Sequence, residues 1–180
     1  MKESLNDIIH EINGKSMVLD SDIADLFNIN IMKIRRYSKW FRKRFKDGDI
    51  MLTVFDGDKH IAFTYRGLIT LSNVLRHKLD SNKLKNLINA LKYKSEIEVY
   101  KDLIKNAKDE IVITDNYVDK NIFNILKNTN KKVTLVANSY NSDDYSTYRK
   151  ENNNVKLIIN DTHHDKTITI DRKRINLKSI

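Results

Sequence analysis

From about residue 81 to residue 108 the chain carries neither glycine nor proline, and its apolar residues keep helical spacing. Leu84, Leu87, Ile88, Leu91, Ile97, Tyr100, Leu103 and Ile104 mark the stripe. Such a segment must form one long helix or two helices meeting near Lys94 and Ser95. It also divides the sequence into parts of different grain. All four glycines, Gly14, Gly48, Gly57 and Gly67, lie before it, whereas strand and helix periods alternate after it.

The first part reads as α+β. Leu5, Ile8, Ile9 and Ile12 suggest a short amphipathic helix over 3–12, ended by Gly14. Residues 16–19 suit a strand, and Asp20 or Ser21 is placed to cap a helix through Phe27, with Ile23, Ala24 and Phe27 inward. Asn28, Ile29 and Asn30 form a turn into a second helix beginning near Ile31. Its apolar stripe runs through Ile34, Tyr37 or Ser38, Phe41 and Phe45, with Trp40 also read as core. Residues 50–55 and 60–64 are strands joined around Asp56-Gly57-Asp58, a hairpin signal. A further helix spans 66–78, with Leu68, Leu71 and Leu75 inward.

Charge is concentrated in the second helix. Formal net charge is +9, and from Lys33 to Lys46 there are eight basic residues and no acidic one. An acidic partner follows, nucleic acid before an anionic membrane surface, because no apolar face accompanies the cations to insert into lipid. A pair of helices with a cationic second member is what a major-groove reader needs. Lys33, Arg35, Arg36, Lys39, Arg42, Lys43 and Arg44 are the candidate DNA contacts, chiefly to phosphate. Lys59, at the hairpin tip, is placed to reach a neighbouring phosphate.

The absence of cysteine excludes disulfides, thiolate metal sites and thiol nucleophiles. With no apolar leader and no run of membrane-spanning length, the expectation is a cytoplasmic protein without a membrane partner.

Beyond residue 108, strands are expected at 110–114, 132–137, 155–160 and 167–170, with helices over 118–127 and 143–151. This alternation predicts a mostly parallel sheet. Tyr140, Tyr145 and Tyr148 are expected at the surface. Just before the last strand, His164, Lys166 and Asp171 have the spacing His-x-Lys-x4-Asp. Phosphodiester chemistry can use that set: an imidazole attacks phosphorus, an ammonium holds the phosphoryl oxygens, and a carboxylate orients or balances charge. In a regular strand His164 and Lys166 share a face, whereas Asp171, an odd number of positions away, points elsewhere unless the strand ends or bulges. His163 and His164 alternate faces in the same way and make a poor metal pair, so neither metal nor cofactor is expected.

Two resemblances add to this reading. Residues 9–79 resemble the ORF-six N-terminal domain of phage and mobile-element proteins, a relative of the KilA-N DNA-binding domain. The similarity runs through Ser16-Met17-Val18-Leu19-Asp20-Ser21-Asp22-Ile23-Ala24-Asp25-Leu26-Phe27. It continues at Arg44-Phe45 with Met51-Leu52-Thr53, and at Ala62-Phe63-Thr64-Tyr65-Arg66-Gly67 through Leu75. Residues 96–180 resemble phospholipase-D-like phosphodiesterases through the His-Lys-Asp set and through Glu110-Ile111-Val112-Ile113-Thr114-Asp115-Asn116-Tyr117-Val118-Asp119. That resemblance implies His164 as a nucleophile forming a phosphohistidine, Lys166 as phosphate clamp, and Asp171 as a supporting carboxylate. It implies metal-independent chemistry, and a homodimer in which a second His164 acts as general acid. The family's glycine–serine pair is replaced near the end by Lys178-Ser179, so the domain is expected to be incomplete.

The expected organisation is therefore a DNA-binding domain over 1–80 (a helix-turn-helix-like pair plus β-hairpin), a helical linker over 81–108, and a small α/β domain over 109–180. The expected function is DNA binding of a regulatory, phage or mobile-element kind, with the second domain used for dimerisation or phosphate binding. The alternative is a metal-independent homodimeric nuclease.

Overall fold

A computed structural model of the chain describes residues 5–75, 79–127, 129–162 and 165–176. Among these residues it is a mixed α/β protein with six α-helices and two sheets. The chain divides into two compact units, Met1–Ser95 and Glu96–Ile180.

Where a helix was expected over 3–12, the described residues 5–12 instead form turns and the first strand of a hairpin. Strands β1 (His10–Ile12) and β2 (Lys15–Leu19) pair antiparallel, with Ile12 opposite Lys15. Between them Asn13 and Gly14 both have positive φ, 51° and 71°. Two successive left-handed residues match the twist of a tight hairpin, and Asn-Gly is the dipeptide best suited to supply them. The isoleucines that suggested a helical stripe, Ile8, Ile9 and Ile12, are still buried, so their spacing reported burial and not its geometry.

Helices α1 (Asp20–Phe27) and α2 (Ile31–Trp40) follow, joined through a left-handed Asn28, and the Asn30 side chain caps α2 by accepting the Met32 amide. A single 3-10 turn, Arg42–Arg44, continues α2. Strands β3 (Ile50–Phe55) and β4 (Asp58–Phe63) form the expected hairpin around Asp56 and Gly57, giving the all-antiparallel order β1-β2-β4-β3. Helix α3 (Tyr65–Leu75) then crosses close to the chain before β3. A Cβ built on Gly67 would lie 2.1 Å from the Asp49 carbonyl oxygen, so only glycine permits that approach.

Helix α4 is one continuous element, Ser81–Asn106, the single-helix form of the two that its spacing allowed. Leu87 and Leu91 join Ile23, Ile34, Phe63, Leu68 and Leu71 in the first unit's core. Tyr100 and Ile104 join the core of the second unit.

In that second unit, β5 (Glu110–Val118), β6 (Lys132–Tyr140) and β7 (Val155–Ile159) are parallel neighbours. Helices α5 (Lys120–Leu126) and α6 (Ser142–Glu151) connect them, capped by the side chains of Asp119 and Asn141. The sheet is nevertheless mixed and not mostly parallel. Strands β8 (Thr167–Ile170) and β9 (Lys173–Asn176) extend it antiparallel, in the order β7-β6-β5-β8-β9. Only residues 160–166 separate β7 from β8, too few for the crossover a parallel strand requires. Asp171 and Arg172, both at positive φ, then turn the chain tightly into β9. Tyr148, expected at the surface, is buried with its hydroxyl donating to the Asn154 side chain at 2.9 Å. Tyr140 and Tyr145 are half-buried against the same core.

Candidate functional site

The basic segment is organised by a buried acid. Asp20, fully buried at the start of α1, accepts hydrogen bonds from Arg35 Nε at 2.6 Å and the Ser21 amide at 3.0 Å. Its Oδ1 also pairs with His60 Nδ1 at 2.9 Å. Arg35 Nη2 donates in addition to the Lys59 carbonyl at 2.9 Å. Arg35 is thus the member of the candidate set committed to structure: it ties α2 to α1 and to β4. A second such pair, His10 Nε2 with Asp22 Oδ2 at 2.9 Å, ties β1 to α1.

The remaining cations face water. Lys33, Arg36, Lys39, Arg42, Lys43 and Arg44 are all exposed, and no ion pair holds any of them among the described residues. Arg36 lies over the Trp40 ring at 5.6 Å, and Arg44 over the Phe41 ring at 4.9 Å. Tyr37 stacks against Phe41 and meets Trp40 edge-on. Trp40 was expected in the core but is 65% exposed. It falls on the Arg36 side of the helix, while Ile34 and Ser38 occupy the buried side.

Between the far side of α2 and the hairpin lies a groove of about 420 Å³. Arg35, Ser38, Lys39 and Arg42 form one wall. Ile50, Leu52 and Ile61 form the apolar floor. Register explains the floor. Leu52 pairs with Ile61 and Val54 with Lys59, so these side chains share the helix-facing side of the sheet. The hairpin extends past the covering helices, leaving Leu52 83% and Val54 65% exposed. Ser38 is buried, and its hydroxyl has no hydrogen-bond partner among the described residues.

In the second unit, Lys166 stands at the carboxyl end of β5. Its Nζ is 3.2 Å from Glu96 Oε2 and 3.4 Å from Asp115 Oδ2. Asp115 lies on the buried face of β5 in series with Ile111 and Ile113, and its other oxygen accepts the Asn116 amide at 2.7 Å. Burial pushes the Asp115 carboxyl above its ordinary value, against the opposing pull of Lys166 and the nearby amides. For Lys166, burial favours loss of the proton, but Asp115 and Glu96 outweigh it and hold the ammonium above its ordinary value.

Asp171 does not join this group. Its carboxylate accepts the amides of Lys108 at 2.9 Å, Asp109 at 2.9 Å and Glu110 at 3.2 Å, at the opposite end of β5. These bonds hold its carboxyl below the ordinary value. The five-residue step along β5 from Glu110 to Asp115 separates it from Lys166 by roughly 16 Å, at about 3.3 Å per residue. Asp171 therefore fastens the β8–β9 turn to the start of β5. His164, the expected nucleophile, and His163 lie outside the described residues.

Sequence reasoning missed Asp20, Asp115 and Glu96. Asp115 had a readable signal, since it shares strand parity with Ile111 and Ile113. Asp20 resembled an ordinary helix cap, and nothing local in the sequence pairs Glu96 with Lys166. Among the described residues no cluster of histidines and carboxylates could hold a metal ion, and no helix is long and apolar enough to cross a membrane. No family model matches the chain, and no curated protein or solved structure matches it.

Proposed function

We propose that the first unit binds DNA and that the chain acts as a regulatory DNA-binding protein of the phage or mobile-element kind. The observation that carries this reading is the run of six exposed, unpaired cations on α2 and the turn after it, Lys33, Arg36, Lys39, Arg42, Lys43 and Arg44. A surface of one sign, braced by aromatic rings and flanked by a β-hairpin, suits a polyanion with a regular phosphate spacing. The α1–α2 pair and the β3–β4 hairpin also support kinship of this unit with the ORF-six N-terminal and KilA-N domains. In this reading the second unit, a reduced phospholipase-D-like domain, serves to pair two copies or to bind phosphate.

The test is a titration of labelled DNA with the full chain over a series of salt concentrations. Each cation that meets a phosphate contributes about 0.9 to the slope of log affinity against log salt. Replacing Lys33, Arg36, Lys43 and Arg44 by glutamate should abolish binding. Retained affinity with an unchanged salt slope would sink the proposal.

A second reading, a metal-independent nuclease acting as a homodimer through a phosphohistidine at His164, draws support from one observation. Lys166 sits at the carboxyl end of a parallel strand, where α/β sheets commonly bind ligands. Against it, two carboxylates already occupy the Lys166 ammonium. Cleavage of DNA in excess chelator, lost in His164→Ala, would establish the nuclease; its absence from wild type would leave binding alone.

A further inference from the structure

The groove beside α2 has three features that a duplex phosphate backbone does not use. Its floor is apolar, built from Ile50, Leu52 and Ile61. It is concave, at about 420 Å³, within the range that holds a small planar group. Its wall contains a buried serine hydroxyl with no partner, an arrangement that costs free energy unless a ligand satisfies it. Cations stand along the same wall: Lys39 and Arg42 are exposed, and Arg35 is fixed by Asp20. A second copy of this chain would bring the same positive wall against itself, so the charge favours an anionic occupant.

Resting on the DNA-binding reading above, we infer that this groove holds an unstacked base of single-stranded or locally opened DNA, with its flanking phosphates on Lys39 and Arg42. A base inside a duplex has both faces covered by its neighbours and its edge paired. Only an unstacked one can lay a face on Leu52 and Ile61 and offer a polar edge to Ser38 Oγ. Arg35 supports this geometry: Asp20 takes its Nε and the Lys59 carbonyl takes Nη2, so this cation of the wall is held in a position set in advance.

The experiment compares binding of the full chain to one labelled oligonucleotide as a single strand, as a perfect duplex, and as a duplex carrying one unpaired nucleotide. Wild type should bind the single strand and the bulged duplex at least about tenfold more tightly than the perfect duplex. Leu52→Glu changes a side chain that is already 83% exposed, so the fold tolerates it, yet it puts a negative charge on the floor. It should remove the preference while leaving most of the duplex affinity. Lys43→Glu, away from the groove, should weaken all three complexes alike. Equal affinity of wild type for the three forms, or a preference that survives Leu52→Glu, would overturn the inference and leave the DNA-binding reading intact. Failure to bind any of the three would overturn both.

Discussion

Lys166 Nζ lies 3.4 Å from a carboxylate oxygen of Asp115, an acid only 5% exposed on the core face of β5. Burial has already raised that acid's proton affinity, so the pair is an imperfect match: Asp115 resists ionising, and Lys166 needs it ionised. The arrangement makes the stability of the second unit depend on pH in a stated direction.

Because the folded Asp115 holds its proton more tightly than the unfolded one, its contribution is full below about pH 4 and declines as pH rises through the folded value. Asp115→Asn keeps the shape without the charge. At neutral pH it should match or exceed wild type in thermal midpoint, and the advantage should vanish in acid. Lys166→Met leaves Glu96 and Asp115 facing each other without a cation. Discounted for the one-third exposure of Lys166, the cost at neutral pH is roughly 1–2 kcal/mol. Melting curves of both variants between acid and neutral pH check the pair, and a neutral-pH loss in Asp115→Asn equal to that of Lys166→Met would contradict it.

Asp171 has the opposite sign. Its folded carboxyl is held below its ordinary value by three backbone amides, so its contribution is present above about pH 4 and is lost as pH falls through the folded value. Asp171→Ala should speed hydrogen exchange at the amides of Lys108, Asp109 and Glu110 while leaving those of Ile113 and Leu135 protected. Unchanged exchange at 108–110 would show that the carboxylate does not hold them in solution.

Trp40 is the chain's single tryptophan, so its fluorescence reports one place on the surface. At 65% exposure it should emit at the long wavelengths of a hydrated indole. Saturating DNA should quench or shift that emission. Trp40→Ala should change stability by less than about 0.5 kcal/mol, as befits an exposed site. Emission indifferent to DNA would place the interface elsewhere.

Asp20 binds Arg35 and His60 from a fully buried position. Asp20→Ala removes the partner of Arg35 Nε, the Ser21 amide and His60 Nδ1 at the meeting point of α1, α2 and β4, at a cost of roughly 3 kcal/mol. DNA affinity should fall with it, since Arg35 loses its anchor. Chemical denaturation and the same DNA titration measure both effects. A variant as stable as wild type would show the cluster to be incidental.

Local signals and long-range ones were unequally legible. The β3–β4 hairpin, the α1–α2 pair, the helical character of α4 and the three parallel strands follow from turn residues and periodicity within a few residues of each other; periodicity left open whether α4 is one helix or two. The hairpin at Asn13-Gly14 was equally local, but Leu5, Ile8, Ile9 and Ile12 at helical spacing masked it. Strand β9 was harder to read, because Asp171-Arg172 lacks the glycine that usually announces a two-residue turn. The Glu96–Lys166 contact joins residues 70 positions apart in sequence, and no spacing rule reaches that far. The place of Asp171 was partly legible: strand parity set it apart from Lys166, but its bonds to the amides of Lys108, Asp109 and Glu110 span a sequence distance that no spacing rule reaches.

Strand β3 is an outer strand of its sheet, and its sequence, Ile50-Met51-Leu52-Thr53-Val54-Phe55, contains neither charge nor proline. An edge of that composition, unpaired among the described residues, is a template on which further strands can add. Strand β9, the outer strand at one side of the other sheet, is guarded by Lys173 and Arg174 within it. Lys39 and Arg42 line the groove along β3 and would repel the same surface of a second copy, and that repulsion has a range set by dissolved ions, about 10 Å at 0.1 M and about 3 Å at 1 M. Concentrated solutions of this protein should therefore be clear in dilute buffer and turn cloudy as sodium chloride is added, with Thr53→Lys keeping them clear.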